Sequence, residues 1–240
     1  MKLEIWSDYA CPYCYIGKRF LEAALAEFEH AREVEIVFRA FELDPTSGPA
    51  VTTTTLDRIM RKYGKSRSDA QAMIDHITSM GERCGLDMRY ASVRYTNTFE
   101  AHRLTKFAEQ HGHGAEMTER LFRAYFTDNS PLADHGVLAG LAQDVGLDGD
   151  AVRAMLSSTD FAEAVRHDET RASQAAVHGV PFFVFDGAYG LSGAQPKAQL
   201  LAALRQSWNE ARKTASENPT TGMTCDSTGC IIPPSGSGAL

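Results

Sequence analysis

The chain has 240 residues, 43% hydrophobic and 23% charged, enough for one large folded domain or a domain carrying an insertion. Its 24 basic residues against 31 acidic ones give a formal net charge of -7. That balance argues against nucleic acid or an anionic membrane as partner, because both require a basic face, and no apolar run approaches the length of about 18 residues that a membrane span needs.

Residues 3–7 alternate apolar and polar side chains, the pattern of a short strand. The opening "MKLEIWSDYACPYC" enters this strand directly, without a charged leader and apolar stretch, so no secretory signal is predicted and a cytoplasmic address is. "CPYC" follows, then Phe20, Leu21, Ala24, Leu25 and Phe28 at helical spacing with Lys18, Glu22, Glu27 and Glu29 between them. This is an amphipathic helix with one buried stripe. "VEIVFRAFEL", residues 34–43, reads as a second strand that "DPTSGP" breaks with turn residues. Strand, helix, strand is the start of a parallel layered unit.

A long helical stretch is predicted over residues 55–177. "LDRIMRKYG", "DAQAMIDHITSMGERCG", "FEAHRLTKFAEQHG" and "AEMTERLFRAYFTD" each space apolar residues three and four apart. Asn97 and Glu100 have the spacing of a capping box opening one of these helices. "VPFFVF" returns to strand character with Pro181 at its mouth, "GAYGLSG" reads as its hairpin partner, and "AQPKAQLLAALRQSWNEARK" is a last amphipathic helix. From residue 216 the chain turns rich in Pro, Gly, Ser and Thr and reads as an appended tail. Residues 1–50 and 178–215 thus form one unit, 51–177 an inserted helical domain and 216–240 the tail.

The five cysteines, in a reducing compartment, suit catalysis or metal binding better than a disulfide framework. Cys11 stands where a strand ends and a helix begins, with Pro12 in the first turn, where a missing N–H has no partner to lose. The free N–H groups and positive end of the helix both stabilise a thiolate there. Cys14, one turn further on, is the natural resolving thiol. Two competing readings are a pair of small core residues and a zinc site completed by Cys225 and Cys230 as four thiolates. Trp6 is expected to pack behind the corner as core, Asp8 to oppose thiolate formation if it lies near Cys11, and Cys84 to be a buried, inert thiol.

"SDYACPYCYIGK", "FRAFELDP", "NTFEAHRL" and "GVPFFVFDGAYGLSGAQP" together resemble the DsbA-like branch of the thioredoxin superfamily, and within it the cytoplasmic FrnE-type disulfide oxidoreductases, over residues 1–213. The resemblance implies an α/β thioredoxin fold with a large all-helical insertion. It implies a thiol–disulfide oxidoreductase or isomerase in which Cys11 and Cys14 are catalytic. Pro181 would be a cis-proline against the active cysteine, and Val180, Pro181, Pro12, Tyr13 and His102 would border the substrate. His102 also reads as an ordinary satisfied helix histidine, and Asn97 as a helix cap. Protein or peptide disulfides are the implied substrates, with a thioredoxin- or glutathione-type reductant as electron partner. A dithiol needs no metal or organic cofactor. Hydroxychromene carboxylate isomerases and kappa-class glutathione transferases share the insertion and use glutathione, but usually carry serine at the position of Cys11; this is the alternative enzyme class, and a zinc-binding interaction module the alternative outside enzymes.

"TCDSTGC" places Cys225 and Cys230 around four turn-forming residues, close enough to bond. They read as a tail-local staple, as idle thiols, or as a second redox pair relaying electrons to Cys11 and Cys14. A coil of about 16 residues spans roughly 20–24 Å, sufficient for that reach.

Overall fold

β1 (Lys2–Ser7) lies inside a four-stranded sheet of order β2-β1-β3-β4. β2 (Glu35–Ala40) pairs with it in parallel, from Lys2 opposite Glu35 to Ser7 opposite Ala40. β3 (Phe182–Phe185) pairs with its other edge in antiparallel sense, and β4 (Tyr189–Ser192) closes a hairpin on β3. The strand that "GAYGLSG" predicts is therefore present. The computed structural model describes residues 1–217, 224–226 and 229–231, with side chains for residues 1–213. Among the described residues no helix is long and apolar enough to cross a membrane.

The pleat sends alternate residues of β1 to opposite layers. Leu3 and Ile5 join Phe183 and Phe185 beneath α1 (Pro12–Leu25) and α9 (Lys197–Glu217), where Leu21, Ala24, Leu200 and Leu204 complete an apolar core. Glu4 and Trp6 face the other side, covered by α8 (Ala162–Gln174), whose Asp168 carbonyl accepts from Trp6 Nε1 at 2.9 Å. Trp6 is core, as expected.

Between β2 and β3 run α2 (Thr55–Tyr63), α3 (Arg67–Arg83), α4 (Phe99–Gln110), α5 (Gly114–Phe126), α6 (His135–Asp144), α7 (Gly149–Ser157) and α8. Side chains of Thr54, Ser66, Asp134 and Asp148 accept from first-turn N–H groups and start α2, α3, α6 and α7. These helices share a second core that also takes in Tyr9, Cys11, Cys14, Tyr15 and Ile16.

One expectation is corrected. The capping box at Asn97 and Glu100 does not form, and Thr98 is the N-cap of α4 without a side-chain bond. Asn97 Oδ1 accepts from Phe99 N at 2.8 Å while its Nδ2 donates to buried Glu42, and Glu100 accepts from Arg103 at 2.6 Å. A distant buried carboxylate for Asn97 and an arginine one turn away for Glu100 outcompete the local reciprocal bond. Thr214 to Glu217 continue α9, which ends two residues before Pro219.

Candidate active site

β1 stops at Ser7, and a tight turn with Cys11 N donating to Asp8 O at 3.0 Å delivers the chain into α1. Cys11 is the N-cap, its backbone extended at φ -94° and ψ 111°, with Pro12 in the first turn. Its side chain makes no capping bond; Sγ donates instead to the Val180 carbonyl at 3.4 Å. The Val180–Pro181 peptide bond is cis. Pro181 closes against α1 because residue 17 is glycine: a Cβ there would lie 3.2 Å from Pro181 Cγ. Cys11, Pro12, Val180 and Pro181 thus meet at one corner, as the sequence predicts, with half-buried Tyr13 alongside. Burial pushes the Tyr13 hydroxyl up, and charge on Cys11 and Tyr63 adds to this.

Cys11 and Cys14 are free thiols, only 4% and 3% exposed. Burial holds the Cys14 thiol well above its ordinary range, and the neighbouring Cys11 sulfur reinforces the shift. The Ser7 hydroxyl and the Asp8 backbone work in the opposite direction. A stable, protonated Cys14 is therefore the resting form. Cys84 is half-buried at the end of α3, its Sγ donating to Gly81 O at 3.1 Å and its thiol raised by burial, which suits the inert role expected of it.

Asp8 is buried, and its carboxylate ties three segments together. It accepts from Ala10 N at 3.2 Å, Thr98 Oγ1 at 2.8 Å and Leu43 N at 2.8 Å. The reading of His102 as a residue facing the cleft is corrected. It is 4% exposed; its Nε2 lies 3.2 Å from Phe41 O and 3.6 Å from Asp8 Oδ1, and its ring lies against Tyr9. α4 is packed from both sides, so His102 turns inward towards the β1–α1 turn rather than outward to substrate.

A cationic cleft gives little notice of itself in the sequence. Arg58, Arg61 and Lys62 of α2 line an open cleft of about 480 Å³ with Leu43, Asp44 and Tyr95. The Arg58 guanidinium lies 4.0 Å from the Tyr95 ring centre. Burial pushes Tyr90 up to about 12, and charge on Arg58, Tyr63 and Cys11 contributes less. The signal available beforehand was three cations at positions i, i+3 and i+4 of one helix.

Among the described residues no group of three or more His, Cys, Asp and Glu side chains could hold a metal. Cys225 and Cys230 lie directly opposite each other on the hairpin of β5 (Thr224–Asp226) and β6 (Gly229–Ile231); their side chains lie outside the described set.

The profile of the DSBA-like thioredoxin domain matches residues 2–205. A probable DsbA oxidoreductase from Streptomyces coelicolor superposes with a TM-score of 0.86 at 39% identity, over 98% of this chain and 100% of that one. The cytosolic disulfide reductase DsbM from Pseudomonas aeruginosa, solved with GSH, has the same fold with a TM-score of 0.60 at 18% identity, over 87% and 100%. The uncharacterized protein YwbO of Bacillus subtilis is 28% identical over 187 residues, 76% of this chain and 85% of its own length.

Proposed function

The chain belongs to the DSBA-like thioredoxin domain family, and we propose that it is a cytoplasmic thiol–disulfide oxidoreductase or isomerase acting through the Cys11–Cys14 dithiol on protein or peptide disulfides. The single observation that carries this reading is the geometry of Cys11: a helix N-cap thiol 3.4 Å from the Val180 carbonyl, with Cys14 buried one turn behind it. Family members are thiol–disulfide oxidoreductases, and this corner has the parts such chemistry needs.

As reductant, the Cys11 thiolate attacks one sulfur of a substrate disulfide. A mixed disulfide forms, and the other substrate sulfur leaves as a thiolate. Cys14 then attacks Cys11 Sγ, closing the Cys11–Cys14 disulfide and releasing the remaining substrate thiolate; oxidation of a substrate dithiol is the reverse. Val180 and Pro181 border the attacking sulfur, where an extended substrate segment meets backbone groups. The α2 cleft, about 480 Å³ and lined by Arg58, Arg61 and Lys62, offers a further surface for a substrate chain. A reductant of thioredoxin or glutathione type regenerates the dithiol, a reading that the DsbM likeness supports only at the level of fold. The opposed register of Cys225 and Cys230 supports a second redox pair serving the first, at the millimolar effective concentration that a tether provides.

The test is division of labour between the two thiols. Cys11→Ser should abolish insulin reduction, whereas Cys14→Ser should accumulate mixed disulfides that non-reducing gels and mass spectrometry detect. Cys11→Ser retaining most activity would sink the assignment.

A further inference from the structure

Cys14 can resolve a mixed disulfide only after losing its proton, yet it is 3% exposed and its thiol is held in the neutral form by burial. Below the thiol corner, between β1, β2, α4 and α5, lies a small pocket of about 10 Å³. That is the space one water molecule needs, provided polar partners surround it. Ser7, Tyr9, His102, Thr105, Lys106 and Thr118 line it. Pleat alternation points Ser7 to the α1 side of the sheet, beneath Cys14, as it does Leu3 and Ile5.

Two of the hydroxyls in this wall are incomplete. Ser7 lies beside the Cys14 thiol and Thr118 beside the Tyr9 hydroxyl, but neither oxygen completes a well-angled hydrogen bond, although both are buried. Buried hydroxyls without partners are costly, at about 1–3 kcal/mol each, and a water between them relieves that cost. His102 supplies the next station. Its Nε2 faces the Phe41 carbonyl and the Asp8 carboxylate, two acceptors, so Nε2 carries the hydrogen and Nδ1 remains the acceptor. A proton arriving on Nδ1 makes an imidazolium that Asp8, 3.6 Å from Nε2, stabilises.

We propose that Ser7 is a catalytic residue of the resolving step, accepting the Cys14 proton and passing its own hydroxyl proton through a cavity water to His102, which Asp8 orients. The proposal rests on the dithiol reading above. Cys14 Sγ attacks Cys11 Sγ of the mixed disulfide; the Cys11–Cys14 bond forms and the Cys11–substrate bond breaks. The electron pair leaves on the substrate sulfur, which takes a proton from solvent, while the Cys14 proton ends on His102. Charged and titratable groups facing this path are Cys11 on α1, Asp8 and Tyr9 in the β1–α1 turn, Arg39 on β2 and Lys106 on α4; α5 contributes only neutral Thr118 at the cavity.

Ellman's disulfide separates the two steps. Attack by Cys11 releases one thionitrobenzoate, and resolution by Cys14 releases the second. In stopped flow at neutral pH, the parent sets the ratio of the two release rates. In Ser7→Ala the second release should slow about tenfold or more relative to the first, within the range general-base assistance commands. In His102→Asn the second release should slow likewise while the first keeps the parent's rate. Far-UV circular dichroism and a melting curve report whether each variant folds. A second release in Ser7→Ala matching the parent, or a slowing shared equally by both releases in either variant, would overturn the relay and leave the dithiol assignment standing. Absence of the first release from the parent would overturn both. If Ser7→Ala fails to fold, His102→Asn decides: a second release at the parent's rate refutes the relay.

Discussion

The two faces of the sheet are held by different physics. On the α1/α9 face, Leu3, Ile5, Phe183 and Phe185 meet Leu21, Leu200 and Leu204, every one of them buried and apolar. On the α8 face, Glu4 accepts from Arg39 and Arg171, while Asp168 takes Lys106 Nζ at 2.9 Å, Arg39 at 3.2 Å and Ala40 N at 3.1 Å. Apolar area is non-directional and tolerates sliding, whereas carboxylates with several fixed donors admit one placement of the helices on the sheet. The difference teaches that one face supplies adhesion and the other supplies registration of the inserted helices over the strands.

The largest effect should come from removing the hub of the charged face. Asp168→Ala leaves buried Lys106 and half-buried Arg39 without their shared acceptor and should lower stability by about 3–5 kcal/mol, read from urea midpoints. A loss of about 1 kcal/mol or less, the worth of an exposed pair, would break the comparison.

On the opposite face, Leu204→Ala should cost about 3 kcal/mol as transfer and cavity terms add. Its signature is insensitivity: the loss should be the same at about pH 4 and about pH 7, because nothing that titrates is disturbed. A pH-dependent loss in this variant would show that the faces are not independent.

The smallest effect sharpens the contrast with pH alone. Arg171, and then Arg39, hold the Glu4 carboxyl down at about 2 from an ordinary 4.5, against an opposing push from burial. A lowered carboxyl contributes stability that is present above 4.5 and drains away as pH falls from there towards about 2. We expect roughly 2 kcal/mol to be lost through that window. Glu4→Gln should be less stable at neutral pH and flatter below about pH 4.5 in denaturant titrations; an acid limb as steep as the parent's would remove Glu4 from the account.

These two faces also mark where sequence reading succeeds. Alternation along Leu3–Ser7 and "VPFFVF", helical spacing from Phe20 to Phe28, and Pro12 after Cys11 each follow from local period and backbone chemistry, and each is found in place. The charged face was illegible for the same reason. Glu4 reads as the solvent side of a strand, and His102, Arg103 and Lys106 as the wet side of a helix, yet all are buried. α4 is covered on nearly every side, and its polar residues pair with partners up to 68 positions away, such as Phe38 O for Lys106. Arg103 likewise spends its guanidinium on the carbonyls of Met155, Ser158 and Asp160. Periodicity registers polarity, and only tertiary structure supplies the acceptor. At the site the thiols and Pro181 announce themselves, whereas the neighbours of Ser7 and of the α2 cations are contained in no local pattern.

α1 belongs to two cores at once. Its first half, Cys14 to Ile16, is buried among the inserted helices, its second half, Leu21 and Ala24, under the sheet, and Phe20 touches both. A rod shared in this way acts as a splice. Neither half of the molecule can melt without exposing residues the other has buried, so the pieces form one cooperative foldon rather than two separable modules. The inserted helices could not be excised, or transplanted to another scaffold, with their interior intact. Evolution could lengthen the loops between them, but the helix bearing the two cysteines would have to be kept as common property.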